Sequence, residues 1–204
     1  MNEILRIGKD LYYGKIALQV AERSTCLRRK HGAIIVKDDR IISTGYNGAP
    51  RSTLNCNEIH MCLREKLNVP RGQRYELCRS VHAEANAIIN AAASEMKDAT
   101  LYLAGMELVY DENGAAYTTR ELSNPESCAM CKRMIINAGI KYVVYYGNGT
   151  TTKVNVFDWI ADDSSLALTS VDDPEYIAAV QSVKDKQKRS AAINDMINDV
   201  ISGA

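Results

Sequence analysis

Apolar residues along this chain switch between helical spacing and short continuous or alternating runs. Between Ile4 and Arg23 they recur at helical intervals, with Leu11, Ala17, Leu18 and Ala21 among the repeating positions. Gly32-Ala33-Ile34-Ile35-Val36 reads as a strand, Asp38-Asp39 as a turn, and Ile41-Ile42-Ser43-Thr44 as its hairpin partner. A loop rich in Gly, Asn and Pro spans Gly45 to Pro50, and the segment from Asn55 to Arg79 carries cysteines, Pro70 and Gly72 but few large apolar residues. Alanine and isoleucine from His82 to Ala93 predict a helix, and Ala99 to Ala104 alternates as a short strand. Asp111-Glu112-Asn113-Gly114 predicts a hairpin turn between two short β-like runs. A second helix is expected from Ser127 to Ala138, closed by Gly139, with a strand from Lys141 to Tyr146. Asp173-Pro174 marks a further helix start, and Ile193, Met196, Ile197, Val200 and Ile201 form an apolar stripe at helical spacing.

Strands alternating with helices predict an α/β fold of three layers. The expected organisation is one domain over residues 1–160 and a C-terminal helical extension over 161–204, packed on that domain or on a neighbouring subunit. No repeat, low-complexity tract or linker interrupts it. No apolar stretch approaches the length of a bilayer span, and the N-terminus lacks a basic-then-apolar secretory pattern, so a soluble, cytoplasmic protein is expected.

Charge narrows the function. Lys plus Arg number 25 and so do Asp plus Glu, giving a formal net charge of zero. Proteins that grip long nucleic acids usually carry a basic excess, so a polynucleotide partner is not expected. A single nucleotide needs only a local basic cluster. The six cysteines are many for a reducing compartment, where clustered thiols serve as metal ligands more often than as disulfides.

Two motifs carry the chemistry: His82-Ala83-Glu84 and Cys128-Ala129-Met130-Cys131. A Cys-x-x-Cys pair at a helix start offers two thiolates to one ion, and the helix dipole favours their deprotonation. His82, starting the other predicted helix, supplies a third ligand and leaves one tetrahedral position for water, which is the catalytic pattern rather than the closed structural one. Glu84 stands two residues on, within reach of that water without ligating the metal. This order of His, non-ligand Glu and Cys-x-x-Cys is the zinc deaminase signature. Either half alone is a weak signal; together they point to catalytic zinc.

Around these motifs the chain resembles the deoxycytidylate deaminase branch of the cytidine deaminase superfamily. The likeness runs from Leu11 to Gly147 and rests on Arg23-Ser24-Thr25-Cys26, Gly32 to Val36, the Gly45-Tyr46-Asn47-Gly48-Ala49-Pro50 loop, His82 to Ile88, and Ala138 to Lys141. It departs from the family in having Ser127, not Pro, before the first zinc cysteine, and in an extra segment from Glu107 to Ser123 near the expected active-site mouth. The resemblance implies a three-layer α/β/α sandwich with a mixed central sheet. It implies deamination of dCMP to dUMP, with Glu84 shuttling protons between water, ring N3 and the leaving amino group. It also implies homo-oligomeric assembly and dCTP and dTTP as allosteric effectors.

For the substrate, the resemblance implies the Ala83 amide and the Ser127 carbonyl at the base edge and Asn47 at the sugar or base, unless Asn47 only suits a left-handed turn before Gly48. Arg28, Arg29 and Lys30, read as a loop before the first strand, either clamp the 5′-phosphate or form an ordinary basic turn. Tyr145 either stacks on the base or packs in the core. Some members of the branch also hold a second, structural zinc, for which Cys26, Cys56, Cys62 and Cys78 are the expected ligands here, with His60 replacing one as the alternative. Competing functions are deamination of dCTP, a modified dCMP or another aminated nucleotide, and zinc-stabilised nucleic-acid binding without catalysis. Glu84, which structural zinc does not require, counts against the last.

Overall fold

A computed structural model describes residues 6–70, 72–112, 116–162 and 174–202. The chain divides into two units, residues 1–167 and 168–204. In the first, helix α1 (Lys9–Ala21) leads into strands β1 (Arg29–Lys37) and β2 (Arg40–Tyr46). The hairpin between them is closed by Asp38 and Asp39, both with positive φ, the short polar residues that tolerate that region best. Two four-residue helices, α2 (Cys56–Ile59) and α3 (Leu63–Lys66), and a 3₁₀ turn over Tyr75–Leu77 cross the cysteine-bearing segment. Helices α4 (Ala83–Ile89) and α5 (Ala93–Met96) follow, then the hairpin of β3 (Thr100–Tyr110) and β4 (Ala116–Glu121), α6 (Ala129–Asn137), β5 (Tyr142–Gly147), β6 (Thr150–Asn155) and α7 (Val156–Asp162).

The strands form one mixed sheet in the order β2-β1-β3-β5-β6, with β4 paired to the outer half of β3. Among the described residues only the β3–β5 pairing is parallel. Successive residues of a strand point to opposite faces, and here both faces are apolar. Ala33, Ile35, Leu101, Leu103 and Val143 face α4, α6 and α7, packing with Ala87, Ile135 and Trp159. Ile34, Val36, Tyr102, Ala104 and Val144 face α1 and meet Tyr13 and Ala17. The result is the expected α/β/α sandwich. One contact decides where α4 lies: Gly45 in β2 lets the backbone of Ala83 and Ala87 come so close that a methyl group there would collide with both.

Three expectations change. The first helix begins at Lys9 among the described residues, and the helix expected over His82 to Ala93 breaks after Ile89. There the Asn90 amide donates to the Thr44 carbonyl and accepts from Arg51, fixing the chain against β2 and the loop beyond it. The strand expected over 99–104 instead runs on to Tyr110, because its outer half gains β4 as a partner. Strand β6 was not expected at all; Asn113 and Gly114 of the predicted hairpin turn lie outside the described residues.

The second unit contains helix α8 (Pro174–Ser202). Of the apolar stripe, Ile193 and Met196 are exposed, and the side chains of Ile197, Val200 and Ile201 lie outside the described residues. Among the described residues no helix is long and apolar enough to cross a membrane.

Candidate active site

His82 and Cys128 occupy equivalent places, each the extended residue capping a helix start, α4 and α6. Both helices lie on one face of the sheet, so the caps meet. His82 Nδ1 lies 3.5 Å from Cys128 Sγ and 3.4 Å from Cys131 Sγ. A tetrahedral zinc with bonds of about 2.3 Å to sulfur and about 2.0 Å to nitrogen needs N···S separations of about 3.5 Å. The donor set therefore fits zinc in chemistry and in spacing. Among the described residues this is the one group of three or more metal-capable side chains with mutually close ligand atoms, all within 4.8 Å of one another. Three protein donors leave a coordination position open.

The charges agree with that use. Hydrogen bonding from Cys131, then from His82, holds the Cys128 thiol well below its ordinary range, while Cys131 is pushed up by the proton it shares with Cys128. The Cys128 partner raises the His82 pKa against the effect of burial. Glu84, in the first turn of α4, is 4% exposed, and burial pushes its carboxyl up from the ordinary value. A buried carboxyl whose affinity for a proton is raised can accept and return one.

Glu84, His82, Ala83 and Cys128 line a cavity of about 510 Å³. The extra segment reaches it: Glu107, Arg120, Glu121, Leu122 and Ser123 form part of the wall, as the sequence placed them. Arg28, Arg29 and Asn47 also face the cavity. Arg29 and Lys30 are not on a loop, however; they open β1, and Lys30 pairs in register with Met106. Arg28 forms an ion pair with Glu65 at 2.9 Å, and Arg29 one with Glu107 at 3.7 Å. Asn47 is buried and turns its side chain onto β1: Oδ1 accepts from the His31 amide at 2.7 Å and Nδ2 donates to the Arg29 carbonyl at 2.9 Å. It thus fixes the cavity wall, with one N–H of the amide remaining.

Tyr145 belongs to the core on the α4 and α6 face, where strand alternation puts it beside Val143. Its hydroxyl accepts the Ser127 amide at 3.4 Å, so of the two expected roles the structure shows core packing, with support of the α6 start. Ser127 is buried, its side chain beside the Glu84 carboxyl and the Tyr145 hydroxyl. Cys26, Cys62 and Cys78 line the cavity and Cys56 is buried nearby. Cys26 and Cys56 are pushed up chiefly by burial and also by the other cysteines of the set. These four thiols are neighbours, yet they do not form a group with mutually close ligand atoms. His60 is exposed, in a left-handed conformation that ends α2.

The sequence reading missed Arg64 and Tyr75, which also line the cavity. Arg64 is buried, its guanidinium carbon lies 5.0 Å from the Tyr75 ring centroid, and that ring meets the His82 ring edge-on at 5.3 Å.

The model of the cytidine and deoxycytidylate deaminase zinc-binding region matches residues 7–147. The chain belongs to this family. Within it, the deoxycytidylate deaminase of Mycobacterium phage D29 is 37% identical over 140 residues, covering 67% of this chain and 92% of the relative. The deoxycytidylate deaminase of Schizosaccharomyces pombe is 33% identical over 138 residues, covering 67% of this chain and 36% of the relative. The chain thus spans nearly all of the phage deaminase it matches and about a third of the yeast one. These likenesses put it in the deoxycytidylate deaminase branch of the family. A solved dCMP deaminase from cyanophage S-TIM5, in complex with dCMP and dUMP, is 25% identical with a TM-score of 0.43, over 69% of this chain and 83% of that one.

Proposed function

We propose that this protein hydrolyses dCMP to dUMP and ammonia. The observation that carries the reading is the His82, Cys128 and Cys131 donor set beside a buried Glu84 in one cavity, within a chain of the deoxycytidylate deaminase branch. Zinc, when held by those three side chains, supplies an acidified water at neutral pH.

The remaining work falls to the chain. Glu84 takes a proton from the attacking water and gives it to ring N3, which makes C4 electrophilic as the oxygen adds. It then carries the second water proton to the amino nitrogen, the C4–N bond breaks, and ammonia leaves. The carboxyl ends as it began, and water plus dCMP balance dUMP plus ammonia. Burial of Glu84 keeps bulk water from taking over that relay. The Ala83 amide and the Ser127 carbonyl hold the base edge. Arg28 and Arg29, each paired with a carboxylate, stand at the cavity wall and add positive charge around the nucleotide without being its main phosphate contact.

A second zinc on Cys26, Cys56, Cys62 and Cys78 belongs to the same reading. Its support is four neighbouring thiols in a segment with little apolar core of its own; a metal crosslink would draw them inward. Homo-oligomeric assembly, effector binding of dCTP and dTTP, and the helical extension over 161–204 as an assembly element belong to it too. The test is a substrate panel of dCMP, dCDP, dCTP and deoxycytidine with zinc quantified on the same sample. Turnover dominated by dCMP supports the reading; preference for dCTP would assign the extra segment around Glu107 to a larger phosphate group.

A further inference from the structure

Among the described residues four arginines line the cavity, and three of them have a carboxylate. Arg28 is paired with Glu65, while Arg29 and Arg120 both lie on Glu107, Arg120 through Nε at 2.9 Å. Arg64 forms no ion pair within 4 Å among the described residues; the one carboxylate it acts on, Glu76, is exposed and paired directly with Arg74. It is also the buried one, at 9% exposure. Its Nη2 donates to the carbonyls of Pro70 at 2.9 Å and Gln73 at 2.6 Å, while Nε is buried without a partner. Nη1 makes no hydrogen bond among the described residues. An arginine cannot shed its charge to escape this situation, and a buried cation without a counter-ion is costly.

We propose that Arg64 is the recognition residue for the substrate's 5′-phosphate. The inference rests on the dCMP reading. Tyr75 packs against both: the Arg64 guanidinium carbon lies 5.0 Å from its ring centroid and the His82 ring 5.3 Å away, so the cation shares the cavity wall with the metal ligands. The carbonyls of Pro70 and Gln73 and the Tyr75 face fix the guanidinium plane before any ligand arrives. A phosphate monoester supplies the missing negative charge, and its oxygens suit the remaining N–H donors of a planar fork. Arg28 and Arg29, with carboxylates already in place, have less charge left to offer.

The test compares Arg64→Gln and Arg64→Lys with the unmutated, zinc-loaded protein, using dCMP, deoxycytidine and inorganic phosphate as probes. Arg64→Gln is expected to raise KM for dCMP and weaken phosphate binding by about tenfold or more, the loss of one charge-assisted contact. KM for deoxycytidine, which has no phosphate, is expected to change far less, and Arg64→Lys should recover part of the dCMP loss. Equal losses on dCMP and deoxycytidine would mean that Arg64 only braces the Pro70 to Gln73 turn, and would overturn the proposal. Phosphate binding is measured without turnover, so the two readings fail separately. An inactive protein whose phosphate affinity still depends on Arg64 sinks the dCMP reading alone; an active one with unchanged affinity in Arg64→Gln sinks this proposal alone. If the variants fold poorly, a crystal of the unmutated protein with dUMP decides, by whether phosphate oxygens contact the Arg64 guanidinium.

Discussion

His82 and Cys131, 49 positions apart in the chain, stand with Nδ1 and Sγ 3.4 Å apart at the starts of two different helices. An ion bound between them ties α4 to α6 and so crosslinks the layer on that face of the sheet. Removing zinc with a chelator should therefore lower the melting temperature by roughly 10 °C, taking about 4 kcal/mol for a thousandfold excess over Kd and about 2–4 °C per kcal/mol. Cys128→Ser should lose metal and activity together. Calorimetry with metal analysis checks both; an apo protein as stable as the loaded one would mean that the ion does not bridge the helices.

Gly45→Ala tests how α4 is positioned. The added methyl meets the backbone of Ala83 and Ala87, which cannot swing away as a side chain would. The expected cost is about 1–3 kcal/mol, from overpacking. Because Ala83 lies between His82 and Glu84, kcat should fall along with stability. A variant that is less stable but fully active would separate the β2–α4 contact from the site.

On the opposite face, Tyr13 gives a pH test. Its buried ring and its hydrogen bonds to the Asp39 carbonyl and carboxylate, at 2.9 and 2.8 Å, raise its pKa from 10.0 to about 12, with burial the largest cause. The unfolded chain therefore loses this proton first. The stability contributed by the neutral phenol is complete below pH 10 and is lost as pH rises towards about 12. Tyr13→Phe should be less stable at neutral pH by about 1 kcal/mol. Its melting temperature should then fall less steeply than that of the unmutated protein across the alkaline window. Parallel slopes would show that Tyr13 does not titrate there.

Legibility followed the range of the determining interactions. His82, Glu84, Cys128 and Cys131 were readable because short motifs placed at helix starts carry both position and chemistry. The β1–β2 hairpin was readable because Asp38 and Asp39 suit its turn. Strand β6 escaped notice because it is a largely exposed edge with Thr150, Thr151, Thr152 and Lys153 in place of apolar alternation. The Asn148-Gly149 turn before it, both residues at positive φ, was the signal available. Arg64 was invisible for another reason: carbonyls six and nine residues away bury it, and hydropathy carries no trace of such bonds. Tyr145 depended on which face of β5 it took, and alternation with Val143 turned it into the core.

The second metal has its own measurement. Fully active protein should hold two zinc ions per chain, and Cys62→Ser should lose one while retaining the ion on His82, Cys128 and Cys131. A content of one or fewer in the unmutated protein would remove the second site and leave Cys26, Cys56, Cys62 and Cys78 as packed thiols.

The most direct test of the chemistry is product formation from dCMP by zinc-loaded protein, unmutated and as Glu84→Gln. Loss of the cytosine chromophore should be matched mole for mole by ammonia and dUMP. Glu84→Gln should keep its zinc and lose turnover by about a hundredfold or more, since an amide cannot relay a proton. Zinc-loaded protein that releases no ammonia from dCMP, or a Glu84→Gln variant within tenfold of full activity, would contradict it.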